Sequence, residues 1–222
     1  MSTHSPRIEL VEPGKLNLKD FSIFALPISQ KNQKPIINNQ SLKKALEKEF
    51  ELNLQTALKN WPDFTGKSGE IVELPINKTG YKASRIYLVG VGEEKREDLK
   101  KAGVSLARKV KNAGHKVLNG LLIEKANVVN HVMAISLASY LWNMKSPKKE
   151  DKGSSSFYIL GKKNDFLEHI KHGLILAEGV WLARNLIHTP ANIKNPKWLA
   201  DQAKKLITEK KKPTLKIDRK ST

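Results

Sequence analysis

The hydrophobic positions along this 222-residue chain alternate between short apolar runs and longer stretches with helical spacing. Phe21–Pro27 and Ile86–Val89 are apolar runs of the length that strands buried on both faces have. Leu99, Ala102 and Leu106 instead recur at steps of three and four residues, which places them on one side of a helix. The chain therefore predicts strands and helices in alternation.

The same patterns predict most of the other elements up to residue 160. In chain order these are an edge strand near 7–11, a loop at 30–39, a helix from 41 that extends to Leu54, a turn at 61–66, and strands at 70–76, 117–124 and 155–160, with a helix at 127–144 between the last two. Gly90-Val-Gly92 is predicted as a strand-to-helix turn, and Gly114 as the left-handed end of the helix that carries Leu99. The polar segment KSPKKEDKGSSS, between Lys145 and Ser156, is predicted to be a surface loop.

Two further helices are predicted after residue 163. The first has its apolar side at Leu167, Ile170, Leu174, Ala177 and Trp181. It should end near His188, because Pro190 disfavours helical dihedrals at Thr189. The second should begin with Asn195 as N-cap and Pro196 at its first position. Its apolar side is Trp198 or Leu199, with Ala203 and Leu206.

The alternation of strands and helices predicts an α/β fold with a largely parallel or mixed sheet and helices on its faces. We place this domain at residues 1–163, with a boundary near Gly161–Asn164, and a second region at residues 164–222. The chain has no cysteine, no leader at its start and no apolar run approaching the roughly 20 residues of a membrane span. We therefore expect a cytoplasmic protein without a membrane partner.

The net charge raises the question of nucleic acid. Forty Lys and Arg against 22 Asp and Glu give a formal charge of +18, which attracts phosphate backbones without specificity. Only six of the forty are Arg, whose guanidinium binds phosphate or guanine through two hydrogen bonds. We therefore favour solvent-exposed Lys-rich surfaces over a nucleic-acid role, which stays an alternative. Residues 194–222 carry ten positive charges against three negative, and we interpret them as the polar side of elements that pack on a further domain.

No catalytic, cofactor-binding or metal-binding residue is predicted in this chain. Gly90-Val-Gly92 lacks the third glycine of a dinucleotide fingerprint, and Glu93 and Glu94 would repel a pyrophosphate. His169 and His172 are three residues apart without the intervening Glu of a zincin, so we expect exposed or structural histidines. The remaining candidates are interpreted in the same way: His115 and His131 as structural, Ser22, Ser105, Ser136 and Ser139 as lacking a neighbouring base, and the carboxylates Glu47, Glu49, Glu51, Glu93, Glu94, Glu97 and Asp98 as surface ion pairs.

One segment carries a family resemblance. The string ARNLIHTPANIKNPKWLADQAKKL resembles the opening of the catalytic domain in the leucyl aminopeptidase family, which reads roughly A-R-D-L-x-N-x-P-x-N, then P-x-x-L-A-x-x-A after a short spacer. Asn185 and His188 depart from that pattern, where Asp and Asn are common. The phrase RIYLVGVGEEK upstream, followed by a helix, also looks like the family's amino-terminal domain. The positions that match are Ala183, Arg184, Leu186, Pro190, Asn192, Pro196, Leu199, Ala200 and Ala203.

This resemblance implies a macro-domain-like three-layer sandwich for residues 1–163, and the opening helices and first strand of the catalytic domain for residues 164–222. In the family, two divalent ions (zinc, manganese or magnesium) activate a water that releases an N-terminal residue from a peptide. The strings that hold these ions, F-D-S-G-G with its flanking Lys and Asp and N-T-D-A-E-G-R, do not occur here. The resemblance also implies a hexamer, to which the amino-terminal domain contributes.

We therefore interpret the chain as the amino-terminal portion of a leucyl aminopeptidase, cut short by cloning, a frameshift or a split gene, and inactive alone. A separate carboxyl-terminal catalytic chain is a possible partner. Two alternatives stay open: a freestanding basic module that binds nucleic acid, and a non-functional gene fragment.

Overall fold

The computed structural model describes residues 5–121, 123–142 and 153–210. Within these ranges the chain forms a seven-stranded sheet of β1 (Ile8–Val11), β2 (Ile23–Lys31), β3 (Lys34–Ile37), β4 (Ile71–Pro75), β5 (Arg85–Gly92), β6 (Lys116–Asn119) and β7 (Ser156–Leu160). The α-helices in the same ranges are α1 (Gln40–Phe50), α2 (Leu54–Leu58), α3 (Arg96–Lys109), α4 (Lys125–Ala138), α5 (Lys163–His188) and α6 (Pro196–Lys210).

The sheet is mixed, with strand order β1-β7-β6-β2-β5-β4. The four pairs from β1 to β5 are parallel, whereas β4 pairs antiparallel with β5. Parallel strands cannot be joined by a tight turn, so the chain crosses over a face of the sheet before it returns beside a parallel neighbour. The predicted α/β fold is therefore confirmed, and the predicted edge strand at residues 7–11 is β1.

Helices cover both faces of the sheet. On one face, α3, α4 and the first part of α5 bury a core that includes Leu99, Leu106 and Val132 against Ile23 and Val89. On the other face, α1 and α2 bury their apolar sides on a second core, whose fully buried members include Phe24, Leu26, Leu42, Leu46 and Leu54. The result is a three-layer sandwich whose central strand β2 is apolar on both faces.

The segment predicted as a loop at residues 30–39 instead contains β3. This strand pairs antiparallel with the end of β2, so that Gln30 lies opposite Pro35. The two-residue turn between them has positive φ at Asn32 (50°) and Gln33 (59°), the twist that suits a tight hairpin. The polar composition of this segment and Pro35 favour a loop, but proline is tolerated in an edge strand, where a backbone N–H that faces away from the sheet has no ladder partner.

Several predicted boundaries also differ from the structure. The helix expected to run from Ser41 to Leu54 is two helices, because Glu51 adopts a left-handed conformation (φ 53°) and Asn53 then caps α2. Strand β6 ends at Asn119 rather than 124, and α4 begins at Lys125 and ends at Ala138. Gly114 does have positive φ (61°), but α3 ends five residues earlier, so Gly114 lies in the following turn.

The chain divides into two compact units, Met1–Trp181 and Leu182–Thr222. The division lies inside α5, which runs without a break from Lys163 to His188 and ends where Pro190 predicted. The boundary between the two family domains, expected near residue 163, therefore stays a prediction. The surface loop predicted at 145–156 lies largely outside the described residues. The first strand of the catalytic domain, which the resemblance implies for the end of the chain at residues 214–222, lies wholly outside them.

Candidate functional site

The turn after β5 holds the two glycines that resembled a phosphate-binding loop. Gly90 lies within β5, and a Cβ at that position would be 2.0 Å from the backbone oxygen of Lys67. Gly92 has φ +57°, and a Cβ there would be 2.9 Å from the carboxyl carbon of Asp98. Both glycines are therefore explained by close packing of the chain on itself, and the expected strand-to-helix turn begins at Glu93, three residues later than predicted.

Three acidic residues, Glu93, Glu94 and Asp98, belong to the turn between β5 and α3 or to the first turn of α3. The Asp98 side chain accepts a hydrogen bond from the backbone N–H of Glu93 (3.2 Å) at the start of α3. Glu94 adopts a left-handed conformation (φ 63°) and accepts a hydrogen bond from the side-chain amide of Asn38. Burial, and secondarily the nearby charge of Glu124, raise the pKa of Glu94. This turn therefore repels anions, as the sequence predicted.

The interpretation of the carboxylates as surface ion pairs holds for most of the named residues but not for all of them. Glu94 is half-buried and accepts a hydrogen bond from Asn38, and Asp98 accepts one from the backbone of its own turn. The sequence could not show this, because Glu94 and Glu124 come from different strand-to-helix connections that meet at the same edge of the sheet. The pairs that form as expected are Lys43 with Glu47, Lys78 with Glu49, Lys95 with Glu93, and Lys100 with Glu97.

His131 is fully buried between α3 and the end of β6. Its Nδ1 lies 2.8 Å from the backbone oxygen of Leu99, and its Nε2 lies 2.8 Å from the side-chain amide nitrogen of Asn119. A neutral ring that donates from Nδ1 and accepts at Nε2 satisfies both contacts. Burial lowers the pKa of His131 to about 4, so the ring is neutral at pH 7. His131 is therefore a structural histidine, as predicted.

The other histidines and acidic residues give no metal-binding geometry. The ring of His115 contacts the hydroxyl of Ser22 (3.4 Å), and His172 is exposed on α5. Across residues 5–121, 123–142 and 153–210, no three His, Asp or Glu side chains converge on one point. The residues that the structure describes thus do not fit a two-metal centre, which needs several carboxylates around two ions.

A cleft of about 630 Å³ lies between α1 and the segment that connects β1 to β2. At one end, Glu49 accepts hydrogen bonds from Lys78 (2.8 Å) and from the hydroxyl of Tyr81. The hydrogen bond from Lys78 lowers the pKa of Glu49, and the bond to Glu49 raises the pKa of Tyr81. This carboxylate is therefore held as an ion pair rather than as a base. Sequence reasoning missed the cleft because its lining comes from four separate segments: Pro13, Leu16, Asn17, Leu18, Ser41, Leu42, Ala45, Lys48, Glu49, Tyr81 and Leu160.

The segment that carried the resemblance forms the predicted corner between two helices. Thr189 is buried, and its hydroxyl donates a hydrogen bond to the backbone oxygen of Asn185 (2.8 Å) in the last turn of α5. The side chain of Asn195 accepts from the backbone N–H of Trp198 (2.8 Å) and caps α6, with Pro196 as its first residue. Trp198 is half-buried while Leu199 is 57% exposed. The helix end, the cap and the start of α6 are confirmed.

No helix in the described part of the chain combines the length and the apolar composition needed to cross a membrane.

Comparison with known proteins gives one consistent family. The model of the cytosol aminopeptidase family, N-terminal domain, matches residues 31–148, which is more than half of the chain. The probable cytosol aminopeptidase of Aquifex aeolicus (strain VF5) is 30% identical over 155 residues, which cover 66% of this chain and 31% of that protein. The chloroplastic leucine aminopeptidase A2 of Solanum lycopersicum is 29% identical over 172 residues, covering 71% and 29%. The chain thus spans about a third of the length of these curated relatives.

Solved structures show the same fold. A mutant of tomato leucine aminopeptidase matches 94% of this chain and 44% of its own, with a TM-score of 0.67 and 24% identity. The bottromycin maturation enzyme BotP, in complex with Mn, matches 85% of this chain and 36% of its own, with a TM-score of 0.59 and 17% identity. At these identities the two structures establish the fold of the chain and nothing finer.

Proposed function

Because the chain belongs to the cytosol aminopeptidase family, we propose that it is the amino-terminal portion of a metal-dependent aminopeptidase and has no peptidase activity by itself. The observation that carries this proposal is the match of more than half of the chain to the family's N-terminal domain. The names of the curated relatives support the reaction class, which is hydrolytic release of N-terminal residues from peptides.

The absence of peptidase activity is inferred from the chemistry of the described side chains. Hydrolysis by two metal ions requires carboxylate ligands that hold both ions a few Å apart. Three of the acidic residues near the carboxyl edge of the sheet are instead engaged elsewhere: Glu93 with Lys95, Glu94 with Asn38, and Asp98 with a backbone N–H group. We therefore assign the two divalent ions to the carboxyl-terminal portion that the relatives carry beyond the matched region.

In the complete enzyme, the three-layer unit would contribute to assembly and access rather than to bond cleavage. A cytosolic location and a hexamer belong to the same proposal, and both follow from the family rather than from any contact in this chain. The corner between α5 and α6 would then lead from this unit into the portion that binds metal.

A hybrid chain tests the proposal. It joins residues 1–210 of this protein to the Aquifex aeolicus relative from the position that follows the equivalent of residue 210. With added manganese, the hybrid should hydrolyse leucine-p-nitroanilide, whereas the 222-residue chain should not. A hybrid that folds with a cooperative thermal transition but shows no turnover would count against the assignment.

Nucleic-acid binding is the second candidate, and the formal charge of +18 is the observation that favours it. Such binding should weaken steeply with salt, because each phosphate contact releases counterions. Retention of labelled duplex DNA by the 222-residue chain at about 150 mM salt would support this role. Loss of binding at that salt would leave only a nonspecific attraction.

A further inference from the structure

The cleft between α1 and the segment that connects β1 to β2 lies wholly within the unit Met1–Trp181. Its volume of about 630 Å³ is in the range that holds a small organic molecule. Two half-buried leucines of the connecting segment, Leu16 and Leu18, line it, together with Leu160 at the end of β7. Ala45 lines the cleft from α1. The cleft therefore offers concave apolar surface to a bound molecule.

The polar end of the cleft is held in place by contacts within the chain. Glu49 accepts two hydrogen bonds at Oε1, from Nζ of Lys78 (2.8 Å) and from the hydroxyl of Tyr81. Lys78 also donates to the backbone oxygen of Glu49 (2.5 Å), and the Tyr81 ring packs edge to face on Phe50 (5.4 Å between ring centroids). The Nζ atoms of Lys78 and Lys19 each lie 5.4 Å from the centre of the Tyr81 ring. These contacts orient Tyr81 and pair the carboxylate before any ligand binds.

The charges at this end of the cleft do not cancel. Glu49 is the carboxylate among the lining residues, and its charge is already balanced by Lys78. Lys48 also lines the cleft, and it forms no ion pair within 4 Å in the part of the chain that the structure describes. Lys19, over the Tyr81 ring, adds a second positive charge. An exposed lysine is ordinarily only solvated, but here unbalanced positive charge borders a concave apolar space.

We propose that this cleft binds a small carboxylate that carries an apolar group, with the carboxylate at Lys48 and the apolar group against Leu16 and Leu18. A neutral apolar molecule would leave the positive charge unbalanced, and a hydrophilic anion would leave the leucines in water. The proposal goes beyond the proposed function, because binding here needs neither a metal ion nor the carboxyl-terminal portion.

Fatty acids and apolar amino acids share this chemistry, and the amino group separates them. An ammonium group would need an acceptor beside the carboxylate site. Both hydrogen bonds to Glu49 end at Oε1, so Oε2 is the acceptor that the cleft offers within the described residues. Binding of octanoate alone would indicate fatty acids, and displacement of octanoate by millimolar leucine would indicate amino acids.

An NMR titration of the isotopically labelled 222-residue chain with octanoate tests the site, and octanamide is the neutral control of the same length. Amide signals of α1 and of residues 13–18 should shift and saturate together, with a Kd below about 1 mM. Octanamide should bind about fivefold more weakly, because it lacks the charge that the lysines attract.

Three variants locate the ligand. Lys48→Gln should weaken octanoate binding about threefold and leave octanamide binding unchanged. Lys44→Gln makes the same change of charge at an exposed position of α1 that does not line the cleft, and it should leave both affinities unchanged. Ala45→Trp should abolish binding of both molecules, because the indole ring would occupy the cleft. Ala45 is only half-buried, so we expect this variant to fold, and its amide spectrum checks that it does.

Three results would overturn the proposal: no saturable shifts at about 5 mM octanoate, equal affinity for octanoate and octanamide, or equal losses from Lys44→Gln and Lys48→Gln. Shifts spread over the whole surface would also overturn it, because they would show only nonspecific attraction to the charge of +18. The first two results come from the native chain, so they stand even if a variant fails to fold.

Discussion

Between pH 7 and pH 5, acid should destabilise this protein through protonation of His131. The ring is neutral in the folded chain, where burial lowers its pKa to about 4, and it recovers its ordinary value of 6.5 when the chain unfolds. Below pH 6.5 the unfolded state therefore binds a proton that the folded state does not. The stability that the neutral ring contributes is present above pH 6.5 and is lost as the pH falls towards 4.

The size of the effect follows from those two values. At ~1.4 kcal/mol per pKa unit, the span between them corresponds to about 3 kcal/mol in total and to about 2 kcal/mol at pH 5. A typical domain has about 5–15 kcal/mol of stability, so this loss is a large fraction of it. Protonation would also give Nε2 a hydrogen directed at the amide nitrogen of Asn119, which is 2.8 Å away and is itself a donor.

Urea unfolding at pH 7 and pH 5, monitored by tryptophan fluorescence, measures the effect. The matched variant is His131→Gln, which keeps polar groups at the site but cannot titrate. The native chain should lose about 2 kcal/mol more than the variant between the two pH values. An equal loss in both chains would refute the reasoning. If the variant fails to fold, an NMR titration of the His131 ring reads its pKa directly, and a value near 6.5 gives the same refutation.

Three further predictions concern single positions. Gly173→Ala should lower the urea midpoint markedly because its Cβ meets α4, whereas Gly179→Ala should raise stability by about 0.5–1 kcal/mol, and the opposite order would contradict the packing of α5. Glu94→Gln should raise the urea midpoint at pH 7 and give no gain near pH 4, because burial raises the pKa of Glu94 and penalises its charged form; a gain that does not depend on pH would reject that cause. Asn195→Ala should reduce helical circular dichroism by fraying α6, at a cost of about 1 kcal/mol, while Asn195→Asp should preserve it.

The elements that were predicted correctly from the sequence are those whose determining residues lie within a few positions of one another along the chain. The helical spacing of Leu99, Leu106 and Ile170 needed no knowledge of distant residues, and all three are buried. Pro190 and Asn195 act on their own backbone neighbours, so the end of α5 and the start of α6 were predicted to within a residue or two. The α/β architecture followed because strand and helix alternation leaves few other topologies.

The features that sequence missed depend on contacts between distant segments. Strand β3 exists because it pairs with the end of β2 across a turn whose left-handed residues, Asn32 and Gln33, carry no glycine signal. The partners of His131 are 12 and 32 residues away, so its neutral state could not be read from the chain. Glu94 resembled a surface carboxylate because its burial arises only when two loops meet at the edge of the sheet.

The candidate site was predicted as an absence of catalytic residues in this chain, and that prediction is the one that most needs a direct measurement. The 222-residue chain, purified without affinity-tag metal and supplied with manganese, is assayed against leucine-p-nitroanilide alongside calorimetric titration of manganese. We predict no turnover above the buffer rate and no stoichiometric metal site. Sustained turnover by this chain, inhibited by chelator and restored by manganese, would contradict the account and require a metal centre built from its own residues.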